Sequence, residues 1–138
     1  MIRITDNHAE RLARMNPAAV APVIGADLQY SAEQIAHFAA ESIRDGAISG
    51  PGHVPSAPGS PPNADTHDLD QSIHPGELTE TEGDIRTSVI ADSDHALYME
   101  LGTSAVAERP YMRPAVAQNR PDTIRRLLHG FRTTVGLR

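Results

Sequence analysis

The clearest hydrophobic pattern in the chain lies near its start and predicts one long helix. Apolar or small residues recur there at steps of three or four: Val20, Ile24, Leu28, Ser31, Ile35, Phe38 and Ser42. This spacing places them on one face of a helix. Asn16 is a good N-cap, Pro17 suits the first helical turn, and Gly46 suits the end. The pattern predicts a helix over about residues 17–45, although Ser31 also fits a capping box that would divide it.

Three shorter apolar runs predict strands. They cover residues 69–76, 85–91 and 95–101, and the last run has Leu97 and Met99 on one face, as in a strand with alternating side chains. Strands that follow one another with short connections pair as an antiparallel meander. A sheet this small needs a helix over one face, and the long helix is the obvious cover.

A second helix and a short lead complete the predicted fold. After Pro114, apolar residues return at helical spacing as far as about His129, and Pro121 is expected to kink or divide this helix. Residues 2–15 indicate a short helical or mixed lead. The predicted fold class is α+β, with one domain over residues 1–138. In it, a long N-terminal helix packs on a small antiparallel β-meander, with a C-terminal helix and a long loop rich in proline and glycine.

That loop, residues 46–66, contains four glycines and five prolines. A connection of this length without periodicity is either functional or mobile. One interpretation is an untethered surface loop. The favoured one is an arm that becomes ordered against a neighbouring subunit, because prolines lower the entropy lost when an extended segment docks. The residues expected to contact that partner are Pro55, Pro58, Pro61, Pro62, Asp65 and Thr66.

The stretch from residue 98 to residue 115 predicts a sharp elbow. The predicted strand ends at Gly102, where glycine can adopt backbone angles that other residues avoid, and an Arg-Pro pair then opens the C-terminal helix. We expect Arg109 or Arg113 to bind Glu100. This pair would hold the elbow rigid or cross a subunit boundary, in preference to forming an acid–cation active site. The predicted elbow residues are Tyr98, Glu100, Gly102, Arg109, Pro110, Arg113 and Pro114.

Charge is distributed unevenly along the chain. The net charge is -6, and every one of the 12 basic residues is arginine. Residues 109–138 carry +6, whereas residues 1–108 carry -12. A positive end on a negative body favours pairing between identical subunits or simple solvation. Contact with the nucleic-acid backbone is the less favoured interpretation.

Several kinds of chemistry find no support in the sequence. There is no cysteine for a disulfide, a thiolate or a cysteine–zinc site, and no apolar run approaches the ~20 residues of a membrane span. A glycine-rich phosphate loop is also missing. Asp65, His67 and Asp68 suggest a small metal-dependent hydrolase, but they match neither a calcium loop nor a helical pair of zinc ligands. We therefore expect no enzyme activity and no cofactor, and keep that hydrolase as an alternative.

Two separated motifs resemble those of bacteriophage neck and tail-completion proteins. The first is YMELGT at residues 98–103 followed by RPYMRPA at residues 109–115. It is similar to the family's Y-x-E-x-G-T and R-P-F-h-R-P-A. The second runs from Ser56 to Ile73 and is similar to S-x-P-G-x-P-P followed by D-T-G-x-L-x-x-S-I. His67 stands where the family usually has glycine. Together the motifs span most of the predicted fold.

The resemblance implies a structural virion protein at the head–tail junction, present in the host cytoplasm during assembly. It implies a ring of identical subunits, a hexamer, that joins or terminates the tail tube. The expected partners are other copies of the chain, head-completion or adaptor proteins, and the tail-tube protein. DNA would pass through the ring without sequence-specific binding, and no membrane is involved. An arginine-rich DNA-binding protein is the alternative from another class.

Overall fold

The computed structural model describes residues 16–82 and 84–137. The lead predicted for residues 2–15 lies outside them. Over the described residues, the helices are α1 (Pro17–Arg44), α2 (Asp68–Gln71), α3 (Ala96–Leu101) and α4 (Met112–Thr134). The strands are β1 (Ile73–Pro75), β2 (Thr79–Thr81), β3 (Asp84–Arg86) and β4 (Val89–Ala91), and a 3-10 turn covers Gly50–Gly52.

Helix α1 begins and ends where the sequence predicts. The Asn16 side chain accepts a hydrogen bond from the backbone N–H of Ala18 at 3.1 Å, which satisfies one of the free donors of the first turn. The helix runs unbroken through Ser31, whose hydroxyl donates to the carbonyl of Asp27 at 2.8 Å instead of capping a new helix. Gly46 follows the helix with a φ of 68°, in the left-handed region that glycine adopts easily.

The strands form two separate antiparallel pairs, so the prediction of a single three-stranded meander is wrong. β1 pairs with β4, with Ile73 opposite Ala91, and β2 pairs with β3 as a hairpin between them. The run predicted over residues 69–76 starts as α2, because Gln71 N donates to the carbonyl of His67 in a helical turn. The run predicted over residues 85–91 divides into β3 and β4. The chain bends there so that Thr87 can bond to the Gln29 side chain on α1.

The strand predicted over residues 95–101 is wrong, because these residues form helix α3. The sequence satisfies both periods over so short a run. In the helix, Ala96, Met99 and Glu100 face inward at a spacing of three and four, while Leu97, Tyr98 and Leu101 are exposed. The helical arrangement lets Glu100 reach the start of α4, which an alternating strand would not favour.

Helix α1 forms the centre of the domain. Helix α4 packs along it, and β1, β3 and β4 also contact it. The buried core is Ala36, Ala39, Ala40, Ile43, Ala64, Ile73, Tyr111 and Ala115. Many of these residues are alanines, so α4 and the strands can approach α1 closely. Helix α4 continues through Pro121 without division and ends later than predicted. The α+β class, with a long N-terminal helix on a small antiparallel β region and a C-terminal helix, is confirmed.

Candidate functional site

The carboxylate of Glu100 fastens α3 to the start of α4. Its Oε2 accepts hydrogen bonds from the backbone N–H groups of Tyr111 and Met112, both at 2.9 Å. Its Oε1 accepts one from the backbone N–H of Arg113, also at 2.9 Å. The first N–H groups of a helix have no partner within the helix and carry a partial positive charge. A carboxylate at this position therefore accepts hydrogen bonds from three of these donors, and their partial positive charge stabilises its negative charge.

Arg113 completes this junction from the other side. Its Nε donates to Glu100 Oε1 at 3.0 Å, and its Nη2 donates to the Glu100 carbonyl at 2.9 Å and to Glu108 Oε2 at 2.8 Å. Of the two arginines that the sequence offers to Glu100, Arg113 is the one that binds it. The planar guanidinium thus ties three acceptors together in one geometry.

Burial and hydrogen bonding act in opposite directions on the pKa of Glu100. Desolvation by burial, the largest single influence, raises it, but the N–H groups of Met112, Tyr111 and Arg113 together with the Arg113 side chain outweigh this and lower the pKa from its ordinary value. Desolvation, with the neighbouring Glu100 charge, raises the pKa of Tyr111 to about 12. The Tyr111 hydroxyl donates to the carbonyl of Ala96 at 3.2 Å. Glu100 is therefore anionic and Tyr111 neutral at neutral pH.

Arg109 binds the long loop instead of Glu100. Its Nε donates to the carbonyl of Ser56 at 3.1 Å, and its backbone N–H donates to the carbonyl of Met99 at 2.7 Å. The adjacent carbonyl, that of Glu108, accepts from the backbone N–H of Gly59 at 2.9 Å. The two motifs noted in the sequence, far apart in the chain, are therefore hydrogen-bonded to each other.

Gly102 makes the turn between α3 and α4 sterically feasible. Its φ is 71° and its ψ is 179°, a conformation essentially restricted to glycine. A Cβ at this position would lie 2.8 Å from the backbone N of Glu108 and 2.9 Å from the carbonyl O of Val106. Thr103 N donates to the same Val106 carbonyl at 2.7 Å and closes the turn. We call the assembly formed by Glu100, Gly102, residues 108–113 and the loop residues 56–59 the joint.

The far end of the loop is tied to α1 and to its own start. Ala64 N donates to the carbonyl of Ile43 at 2.9 Å. Ser49 Oγ donates to the carbonyl of Ala64 at 3.1 Å, and Gly50 N donates to Asp65 Oδ1 at 3.0 Å. Residues 46–66 therefore fold back on the rest of the chain at both ends. Of the residues predicted to contact a partner, Pro62 is buried and Pro61 half-buried, while the exposed ones are Pro55, Pro58, Asp65 and Thr66.

The three residues of the alternative hydrolase line one pocket of about 280 Å³, but each forms hydrogen bonds with a different partner. His67 has a φ of 66° and is bonded through Nδ1 to Asp70 Oδ2 at 3.2 Å. Asp68 Oδ2 accepts from the Thr66 hydroxyl at 2.6 Å, whereas Asp65 caps the backbone of the loop. Within residues 16–82 and 84–137, no group of three or more His, Cys, Asp or Glu side chains is arranged to hold a metal ion.

Asp70 is a buried charge that the sequence analysis missed. It is only 2% exposed, and its Oδ2 accepts from Arg44 Nε as well as from His67. The hydrogen bond to Asp70 is the main influence that raises the pKa of Arg44. The sequence pattern hid this residue, because the strand predicted from residue 69 places Asp70 on the face opposite to Leu69 and Ile73. This ion pair connects α2 to the end of α1.

Three apolar side chains on α3 are exposed beside the joint. Leu97 is 64% exposed, Tyr98 54% and Leu101 58%. We call these three residues the α3 patch. Single exposed apolar residues are common, but a cluster on one face of a helix marks a contact surface more often.

Comparisons with known proteins found no relative of this chain. No protein-family model, no curated protein and no solved structure matches the chain. In the part of the chain that the structure describes, no helix is both long enough and apolar enough to cross a membrane.

Proposed function

We propose that this chain is a structural protein of a bacteriophage particle. In this role it forms a hexameric ring at the head–tail junction, where it joins or terminates the tail tube and lets DNA pass. The observation that carries the proposal is the joint. The residues that resemble the neck and tail-completion family form two separate blocks in the sequence. The Arg109–Ser56 hydrogen bond joins these blocks, and the Gly59–Glu108 hydrogen bond lies directly beside it.

The construction of the joint supports a mechanical role. Glu100 satisfies three backbone donors of α4 and one side-chain donor, and Gly102 fixes a turn that other residues would strain. Such a joint keeps the direction between α3 and α4 constant. A ring subunit needs this property because small angular errors would accumulate around the ring and prevent closure.

The α3 patch supports contact with a protein partner. Its side chains are more than half exposed, and it lies on the helix that carries Glu100. A partner that covers the patch would therefore be held at a fixed angle to α4. We assign this surface to the adjoining virion proteins, namely the head-completion or adaptor protein and the tail-tube protein.

The net charge of -6 supports passage of DNA through the ring. Binding of proteins to DNA depends on neutralising phosphates with basic side chains. An acidic channel wall would instead repel the DNA and let it slide. The protein would act in the virion and reach it from the host cytoplasm.

Deletion of the gene from the genome that encodes this chain tests the proposal. After induction, electron microscopy should find filled heads and tails that do not join, or tails of abnormal length. Supplying the wild-type chain should restore complete particles. Supplying Glu100→Ala should restore few, because the joint is lost, while Glu108→Gln should restore most. Normal particles from the deletion strain would overturn the proposal.

A biochemical test complements the genetic one. The purified chain should bind to isolated tails or to polymerised tail-tube protein, as measured by co-sedimentation. Leu97→Glu with Leu101→Glu should abolish the binding, because both substitutions place charge in the α3 patch. Circular dichroism would establish that this variant is folded. Equal co-sedimentation of the variant and the wild type would refute the assignment of the patch.

A further inference from the structure

Opposite charges lie on two different elements of the domain. The hairpin formed by residues 77–82 and 84–86, which we call the acidic hairpin, carries a net charge of -3. Its residues Glu77, Glu80 and Glu82 are exposed, and none of them forms an ion pair with a described residue. Helix α4 carries five arginines and one aspartate, a net charge of +4.

These two elements lie on opposite sides of α1. The acidic hairpin lies on the side of α1 that carries Gly25, because a Cβ at Gly25 would lie 2.9 Å from Cδ2 of Leu78 in the hairpin. Helix α4 lies on the side of α1 that carries Val23 and Asp27, since a Cβ at Gly130 of α4 would lie 3.0 Å from Val23 Cγ1 and would also meet Asp27 Oδ2. Two residues along a helix correspond to a rotation of about 200°. The acidic hairpin therefore cannot reach α4 of its own subunit.

A cleft between α1 and α4 gathers part of the positive charge. It has a volume of about 490 Å³, which is within the range of ligand pockets. We call it the basic cleft. Its charged lining consists of Arg125, Arg126 and Asp122, beside Tyr30, Gln34 and His129. Arg126 stacks on the Tyr30 ring, 3.9 Å from its centroid. Arg125 pairs with Asp122 at 2.8 Å, but its side chain is 76% exposed and remains accessible to a partner.

We propose that the acidic hairpin of one copy docks into the basic cleft of a second copy. The surfaces are complementary in charge, and each subunit presents one of each on opposite sides. A contact between two different surfaces repeats from copy to copy and closes into a ring when the rotation allows it. The inference names the self-contact of the proposed ring and rests on that function. Complementary charge also speeds encounter and excludes wrong registers.

A charge exchange tests this contact. The hairpin variant is Glu80→Arg with Glu82→Arg, and the cleft variant is Arg125→Glu with Arg126→Glu. Like charges then face each other in each variant alone, and we expect self-association to weaken by at least about a hundredfold. An equimolar mixture restores opposite charges at every contact and should associate like the wild type. Analytical ultracentrifugation and light scattering at two salt concentrations provide the measurements.

A matched control changes the same helix outside the cleft. Arg120→Glu with Arg132→Glu alters the net charge of α4 equally and should leave self-association within about threefold of the wild type. Wild-type association should weaken as salt increases, because the facing charges are screened.

Three results would overturn the contact. They are a wild-type chain that stays monomeric at every concentration, single variants that associate normally, and a mixture that stays monomeric. Loss of DNA binding in a gel shift of the cleft variant, with self-association unchanged, would assign the cleft to nucleic acid instead. None of these results depends on particle morphology in the deletion strain, so failure of the contact is distinguishable from failure of the proposed function.

Discussion

Replacing Glu100 by glutamine provides the most direct test of the joint. Glutamine keeps the size of the side chain but removes the charge and replaces one acceptor oxygen by an NH2 group. Four donors converge on the two oxygens of Glu100, three from the backbone and one from Arg113. Each oxygen accepts two of these bonds, so in Glu100→Gln the new NH2 group must face two N–H donors, which then lose their acceptor.

The expected loss of stability follows from the number and type of these bonds. A hydrogen bond to a charged group contributes about 1.5–3 kcal/mol, and loss of a helix cap costs about 0.5–2 kcal/mol. These contributions overlap, since the cap consists of the same bonds. The Glu100 side chain is only 13% exposed, so water replaces them poorly. We expect the free energy of unfolding to fall by about 2–4 kcal/mol, which lowers Tm by roughly 10 °C for a domain of this size.

Glu108→Gln is the matched control. Glu108 binds the same Arg113 at 2.8 Å, but its side chain is 52% exposed. Surface ion pairs contribute about 0–1 kcal/mol, so this variant should unfold within about 0.5 kcal/mol of the wild type. Urea titration followed by circular dichroism gives both values. Equal effects of the two substitutions would refute the role assigned to Glu100.

The pH dependence supplies a second check on the same residue. The pKa of Glu100 is lowered from its ordinary value of 4.5 in the folded chain. Its contribution to stability is therefore present above that value and is lost as the pH falls through the folded pKa. The difference in unfolding free energy between the wild type and Glu100→Gln should be constant near neutral pH and shrink in acid. A difference that grows in acid would contradict the assignment.

Three further predictions concern other parts of the domain. Gly102→Ala should lower the free energy of unfolding by about 3 kcal/mol in urea titrations, because its positive φ and close backbone neighbours both penalise a Cβ. Gly46 also has a positive φ but open space around it, so Gly46→Ala should lower the free energy of unfolding by only about 1 kcal/mol. Equal losses in the two variants would contradict the steric argument. Asp92→Asn should lower the pKa of His74, measured by NMR, because the hydrogen bond to Asp92 is the main influence that raises this pKa. The stability that the pair contributes is present below the ordinary pKa of 6.5 and is lost as the pH rises through the pKa of the folded state. An unchanged titration of His74 would refute the pairing. Asp70→Asn should destabilise the fold by about 1–3 kcal/mol in thermal denaturation, because Arg44 on α1 loses its buried carboxylate partner. An unchanged Tm would refute a contribution of this ion pair to stability.

The long helix could be predicted from the sequence because it is long. Seven residues from Val20 to Ser42 keep one register, and a cap and a proline mark the start. Over so many turns only one period fits. Helix α3 is too short for this, because its six residues satisfy a strand period through Leu97 and Met99 and a helix period through Ala96 and Glu100. Only the tertiary position of the α4 N-terminus decides between them.

The contacts of the joint could be predicted only in part. Proximity of Glu100 to Arg113 followed from the order of the elements, but the role of Glu100 as acceptor of three backbone donors depends on α3 being a helix. The bond from Arg109 to Ser56 spans 53 positions. No local pattern specifies such a pairing, because it arises when the loop folds back on the domain.

Main-chain amides exist whatever side chain a position carries. Because the carboxylate of Glu100 is fastened to the peptide nitrogens of residues 111, 112 and 113, any amino acid except proline at 111 and 112 still offers those donors. Tyr111 is held to its identity by the space it fills in the interior, and Met112 less strictly. The chain can thus exchange the outward-facing side chains of this region while keeping the same hydrogen bonds to the main chain beneath them.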